Sequence, residues 1–304
     1  MPGHATSRIV CGMKRLDGQS LAQTIHAETK RLIQGASSVP TLAVLLVGED
    51  PASHLYVSLK EKAAHELGIK TVIRRVPAQT PDAMLIGLIQ EWNADPSIHG
   101  ILIQVPLPPG HDTDTLIQTM SPEKDVDGFH PLSIERLLAG EARIISPVHE
   151  GVLRLIASSG ISINHARTAL IANSEVFAKP LEYVLRRAGA VVERMAPDNF
   201  DAKLCSECSI IVIGVGRKKF LQRNAVKNGA VIIDIGTNRQ DDGRVVGDVD
   251  TADISDLDGW LTPVPGGVGP MTIAVLLKNV ATLATTPSSP RPIPQPPSSD
   301  ASDT

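Results

Sequence analysis

The chain has 304 residues, is 42% hydrophobic, and sets 29 Lys+Arg against 33 Asp+Glu for a net charge of −4. That length supports one substantial core or two smaller ones, and the charge balance leaves no electrostatic footprint for nucleic acid. No apolar run reads as a membrane span and no signal-peptide core opens the chain, while three cysteines suit a reducing compartment, so the cytoplasm is the expected location.

Residues before Met13 show no periodicity. The apolar run Leu42–Val47 predicts a strand, and Gly48-Glu49-Asp50-Pro51 a turn into a helix over Ser53–Leu67. Tyr56 and Lys60 are four apart on that helix, which puts a phenol and an amine on one face one turn apart. Such a pair can move protons if the amine is kept neutral, although on many helices it is only a solvated surface pair. A strand at Thr71–Val76 and a helix at Asp82–Trp92 follow. The next strand, Gly100–Val105, carries one amide, Gln104, and runs into Pro106, Pro108 and Pro109. In Lys124-Asp125-Val126-Asp127-Gly128, two carboxylates stand two apart beside a glycine. No further acidic ligand follows at calcium-loop spacing, so a metal site is not expected, and a turn with Asp side chains bonded to backbone is the plain alternative.

In the second half, a strand at Thr168–Ile171 leads into Ala172-Asn173-Ser174 and a helix over Pro180–Ala188. Strands are predicted at Val191–Arg194, Ile210–Ile213 and Val231–Ile235, the last two followed by Gly214, Gly216 and Gly236. Cys205 and Cys208 have redox or zinc half-site spacing, but without a second pair they read as core residues. The segment Thr262–Thr272 holds Pro263, Pro265, Gly266, Gly267, Gly269 and Pro270, a shaped loop that then becomes an apolar helix over Met271–Val280. From Thr285 the chain is proline- and serine-rich, and 286–304 is expected to be a disordered tail.

The segments around Lys60, Gln104, Asp127 and Pro265-Gly266-Gly267, together with Leu16-Asp17-Gly18, Val231–Gly236 and Val245–Val249, resemble in order and spacing the bifunctional methylenetetrahydrofolate dehydrogenase/methenyltetrahydrofolate cyclohydrolase family. The resemblance runs from about Arg15 to about Leu283. It implies that Lys60 is the central catalytic lysine, that Tyr56 packs on the folate, that Gln104 bonds the lysine, that Asp127 holds the pterin edge, and that Pro265-Gly266-Gly267 closes over the folate. The substrate implied is a tetrahydrofolate derivative and the cofactor NADP or NAD, with Ala172, Asn173, Ser174, Gly214 and Gly236 at the dinucleotide. A homodimer is implied by the same resemblance. Met13-Lys14-Arg15-Leu16 resembles how family members begin, so Met13 is a candidate start.

The dinucleotide loop departs from the family. Where members have Gly-Arg-Ser-x-x-Val-Gly-x-Pro, this chain has Ala172-Asn173-Ser174-Glu175-Val176-Phe177-Ala178-Lys179-Pro180. Both glycines that let backbone approach a pyrophosphate are alanines, and the arginine that meets a 2′-phosphate is Asn173. Glu193 lies at about the twenty-residue spacing at which an acidic side chain takes a ribose 2′-hydroxyl, and a solvated strand residue is its alternative. Ser146–Gly151, Ser133 and Glu135 also differ from the usual family residues. Hydrolysis is therefore better supported than NADP-dependent oxidation, with a cyclohydrolase lacking a working dinucleotide site and a non-catalytic folate-binding paralogue as alternatives.

Alternating short apolar runs and amphipathic stretches predict an α/β protein with parallel sheets. Two domains are expected: a folate-binding α/β domain over 14–145 completed by 270–285, and a Rossmann-type domain over 150–265, with the active site in the cleft between them.

Overall fold

The computed structural model describes residues 12–36 and 38–285. The tail expected over 286–304 lies outside them. The chain divides into two compact units, one comprising Gly18–Arg154, Lys179–Val184 and the chain from Gly269, the other the chain up to Asp17 with Leu155–Ala178 and Leu185–Val268.

Among the described residues the first element is β1 (Met13–Arg15), and the first unit is then built from α1 (Gly18–Gln34), β2 (Thr41–Val47), α2 (Pro51–Leu67), β3 (Lys70–Val76), α3 (Asp82–Ala94), β4 (Gly100–Ile103), α4 (Thr113–Thr119), α5 (Pro131–Ala139) and most of α6 (Pro147–Ser158). Its sheet has three parallel strands in the order β3-β2-β4. Every residue of β2 is buried, because helices cover both faces, and this is why it reads as an unbroken apolar run. Leu42, Val44 and Leu46 face Val57 and Ala64 of α2, while Ala43, Leu45 and Val47 face Leu85, Ile89 and Trp92 of α3. β4 stops at Ile103, short of the predicted Val105. Gln104 N–H still reaches Leu45 O at 2.9 Å, and the ladder ends at Pro106, which has no donor.

The second unit holds β5 (Arg167–Ala172), the two ends of α7 (Glu175–Arg187), β6 (Val191–Met195), α8 (Ala202–Ser206), β7 (Ile210–Gly214), β8 (Ala230–Asp234), the hairpin β9 (Asn238–Arg239) with β10 (Val245–Val246), and β11 (Gly259–Leu261). Its sheet has six parallel strands in the order β1-β11-β8-β7-β5-β6. From β5 the chain goes first to β6 on one side and then to β7 on the other, so a topological switch point lies at the carboxyl ends of β5 and β7. Lys14 and Arg15, expected in the folate domain, belong to β1 and so to this sheet. Three residues are too short a strand to announce their sheet by pattern, and pairing with Trp260 and Leu261 places them. Helix α7 begins at Glu175, ahead of the predicted Pro180. The Ala178 N–H already donates to Ser174 O at 2.8 Å, and a proline this near a helix start removes only one bond. Cys205 and Cys208 are buried in the core, where burial pushes the Cys205 thiol up to about 12 and leaves it no nucleophile.

The last helix, α9 (Val268–Thr285), corrects one reading: over 18 residues with a mean hydropathy of 1.4, it is long and apolar enough to cross a membrane. Its apolarity has another use. Leu276, Leu277 and Val280 pack against β2 and α2, and Met271, Ala274, Val275 and Ala281 are also buried. Gly151 on α6 lets that helix lie close to α9, since a Cβ there would meet Met271 Cβ at 3.1 Å.

Candidate active site

Asp50 caps α2 by accepting the Ser53 N–H at 2.7 Å, with Pro51 in the first turn and Gly68 closing the far end at φ 79°. Lys60, on the buried face of that helix, is 9% exposed. Its Nζ donates to Gln104 Oε1 at 2.9 Å, and Gln104 Nε2 donates in turn to Val105 O at 2.8 Å, which fixes the amide so that its oxygen faces the lysine. Burial pulls the Lys60 pKa below the ordinary lysine value, and the Asp127 charge partly restores it.

The two carboxylates of the Asp-Val-Asp-Gly turn have different tasks. Asp125 is buried and accepts the N–H groups of Asp127, Gly128 and His130 at 3.2, 2.9 and 2.9 Å, so it is the turn-holding aspartate. Asp127 is thereby left free. Burial raises its pKa to about 6 against the pull of Lys60, with Asp125 adding to the rise. With Ile101, Ile103, Val105 and Phe129 it lines a small apolar crevice. Tyr56 is half-buried one turn before Lys60. Lys60, Gln104, Asp127 and Tyr56 thus belong to one unit. A separate cavity of about 220 Å³ in that unit contains none of them. Its Arg136 and Arg143 are both paired with Glu123.

The remaining predicted residues lie in the other unit. Gly266 has φ 109°, and a Cβ on Gly267 would stand 2.7 Å from Pro263 O, so the backbone itself requires both glycines. At the switch point Ala172 and Gly214 are register partners, and Asn173 Nδ2 donates to Val215 O at 3.1 Å. The loop residues Ala172, Asn173, Ser174 and Ala178 all have negative φ, so the backbone carries the two alanines without strain. A switch point beside the α7 N-terminus is where a doubly wound sheet takes a dinucleotide, and the NAD(P)-binding role that the family resemblance gives this unit agrees with it.

Glu193 does not reach that point. It is level with Ala169 in mid-strand, and its carboxylate lies 3.9 Å from the guanidinium of Arg167, at the opposite end of β5.

Asp234 and Asp248, which the sequence reading held only as members of two motif segments, prove to be structural clamps. Asp248 accepts the N–H groups of Val215, Gly216 and Arg217 at 2.6, 3.1 and 2.9 Å, and Asp234 those of Gly236, Asp248 and Val249 at 2.9, 3.0 and 3.0 Å. Together they clamp the loops after β7 and β8. Gly236 is glycine because a Cβ there would stand 2.3 Å from the Asp248 carboxylate carbon, and a Cβ on Gly247 would stand 1.9 Å from Asp234 Oδ2. The signal was an aspartate two before one glycine and another directly after a second.

Residues 16–127 match the family model described as tetrahydrofolate dehydrogenase/cyclohydrolase, catalytic domain, and residues 146–287 match its NAD(P)-binding domain. The bifunctional protein FolD of Campylobacter curvus is 40% identical over 271 residues, covering 88% of this chain and 94% of that protein. A crystal structure of the bifunctional FolD enzyme, methylenetetrahydrofolate dehydrogenase/cyclohydrolase, from Campylobacter jejuni superposes with a TM-score of 0.85 at 36% identity, over 90% of this chain and 98% of that one. The Trypanosoma brucei enzyme, complexed with NADP cofactor and inhibitor, gives 0.84 at 28% identity, over 90% and 97%. With both domains matched in sequence order, this chain belongs to the tetrahydrofolate dehydrogenase/cyclohydrolase family.

Proposed function

We propose that this chain interconverts 5,10-methylenetetrahydrofolate, 5,10-methenyltetrahydrofolate and 10-formyltetrahydrofolate, as a dehydrogenase and cyclohydrolase. The observation that carries the proposal is the buried Lys60 amine held by Gln104 and electrostatically coupled to Asp127. In the oxidative step the carbon between N5 and N10 loses hydride, for which a bound nicotinamide supplies the acceptor. In the hydrolytic step water adds to the methenyl carbon and gives up a proton, the carbon–N5 bond breaks, and N5 is protonated. Ring opening leaves the formyl group on N10.

Lys60 is the proton-handling group. Burial already favours its neutral form, and a cationic substrate beside it favours that form further. Gln104 Oε1 takes one N–H of the amine and so orients the rest toward the reacting carbon. Asp127, ionised above about pH 6, accepts the paired N–H donors of a pterin edge. Tyr56 stacks on the folate, and Pro265, Gly266 and Gly267 are the further substrate-binding residues that the family resemblance implies. Ala172, Asn173, Ser174 and Gly214 line the dinucleotide crevice, with Gly236 behind it admitting the clamp carboxylate.

Two absorbance assays test this on purified protein: loss of methenyltetrahydrofolate without cofactor, and its formation from methylenetetrahydrofolate with NAD or NADP. Both activities are expected, and Lys60→Met should lower hydrolysis by about 10²–10⁴. Hydrolysis alone would remove the dehydrogenase half of the proposal, and silence in both assays would overturn it. A homodimer in the cytoplasm completes the proposal. An edge strand, β6, with Val191 44% exposed, supports a face for a second copy.

A further inference from the structure

We propose that Asp198 is the specificity residue for the adenosine ribose of the dinucleotide, and that it makes this chain favour NAD over NADP. The inference rests on the dehydrogenase reading above. In a doubly wound sheet, the ribose of a dinucleotide bound at the switch point lies over the carboxyl end of the neighbouring strand, where an acidic side chain accepts the 2′-hydroxyl. Here that strand is β6, which ends at Met195, level with Ile171 of β5. The residues just past it are Ala196, Pro197 and Asp198, with Pro197–Asn199 forming a single turn of 3-10 helix. Glu193 lies before the strand end, so Asp198 is the acidic residue placed for the ribose.

The Asp198 side chain is 85% exposed and open to a ligand. Its carboxylate pairs with Arg217 at 3.3 Å, an ion pair between the loops that follow β6 and β7, the two neighbours of β5. Arg217 is anchored through its backbone, since its N–H donates to Asp248 Oδ1 at 2.9 Å. The arginine on β6, Arg194, is paired with Glu175 at 2.8 Å, and Lys219, in the loop after β7, with Asp250 at 3.3 Å. Lys218 adds one more cation to the same loop.

A 2′-hydroxyl can donate to Asp198 without breaking the Arg217 pair, because a carboxylate has acceptor capacity for both. A 2′-phosphate at the same position brings like charge against Asp198 and must take Arg217 from it. The Asn173 side chain offers no compensating charge. The neutral 2′-hydroxyl is therefore favoured.

The test is titration calorimetry of the full chain with NAD and with NADP, each without folate. NAD is expected to bind roughly tenfold tighter, the scale of one like-charge contact near a surface. Asp198→Asn should weaken NAD and strengthen NADP, reversing the order by freeing Arg217. Adding Arg217→Ala to that variant should then weaken NADP again. Thermal melts confirm that each variant is folded. If the parent binds NADP as tightly as NAD, with Lys218 serving the phosphate, the assignment is overturned while the dehydrogenase reading stands. An unchanged ratio in Asp198→Asn also overturns it. If neither dinucleotide binds, the dehydrogenase reading fails and the assignment with it.

Discussion

Asp127 keeps its proton to about pH 6 because burial outweighs the pull of Lys60. Its folded pKa lies above the ordinary 3.8, so protonation favours the fold. The stability gained is fully present below 3.8 and is lost as pH rises through about 6. A shift of that size corresponds to at most about 3 kcal/mol. Asp127→Asn carries no ionisation cost, so it should melt higher than the parent at pH 8, match it near pH 4, and bind folate more weakly. Melting curves at the two pH values decide this, and coincident curves at pH 8 would refute it. The divergence between Asp125 and Asp127 shows what a sequence leaves open at this scale. Both stand in one turn, and only the fold shows that Asp125 is consumed by three backbone donors.

At the scale of elements, the loops after β7 and β8 are held by two carboxylates, each lying in the space left by a missing side chain. Gly247→Ala would put a Cβ 1.9 Å from Asp234 Oδ2 and force that clamp apart. Overpacking of this kind typically costs about 1–3 kcal/mol. A lowered melting temperature together with weaker dinucleotide binding is the expected outcome, and a variant indistinguishable from the parent in both would show that the clamp is dispensable. Most strands were legible because parallel strands covered on both faces read as unbroken apolar runs. The short β1, β9, β10 and β11 were not, since two or three residues cannot show a period. Helix α7 was placed late because Pro180 suggested a start, whereas its first turn forms from Ser174 onward.

For the whole molecule, the proposed homodimer predicts a sedimentation mass near twice the 32.3 kDa of the chain, and a species of single-chain mass at micromolar concentration would dismiss it. Two α/β units follow from the alternation of elements, and the sequence reading allotted 270–285 to the first while leaving the β1 residues Lys14 and Arg15 there as well. Residues near each end cross over: β1 joins the six-stranded sheet, and α9 covers the three-stranded one. The sequence by itself determined the family and the α/β class, because motifs and apolar runs carry that information locally, and through the family resemblance it put forward Lys60, Gln104 and Asp127 as site residues. Only the tertiary structure decided which aspartate is structural, that Glu193 falls short of the switch point, and that Asp198, Asp234 and Asp248 reach the loops there. Those relations depend on strand register and on contacts between segments distant in the chain, which local pattern does not encode.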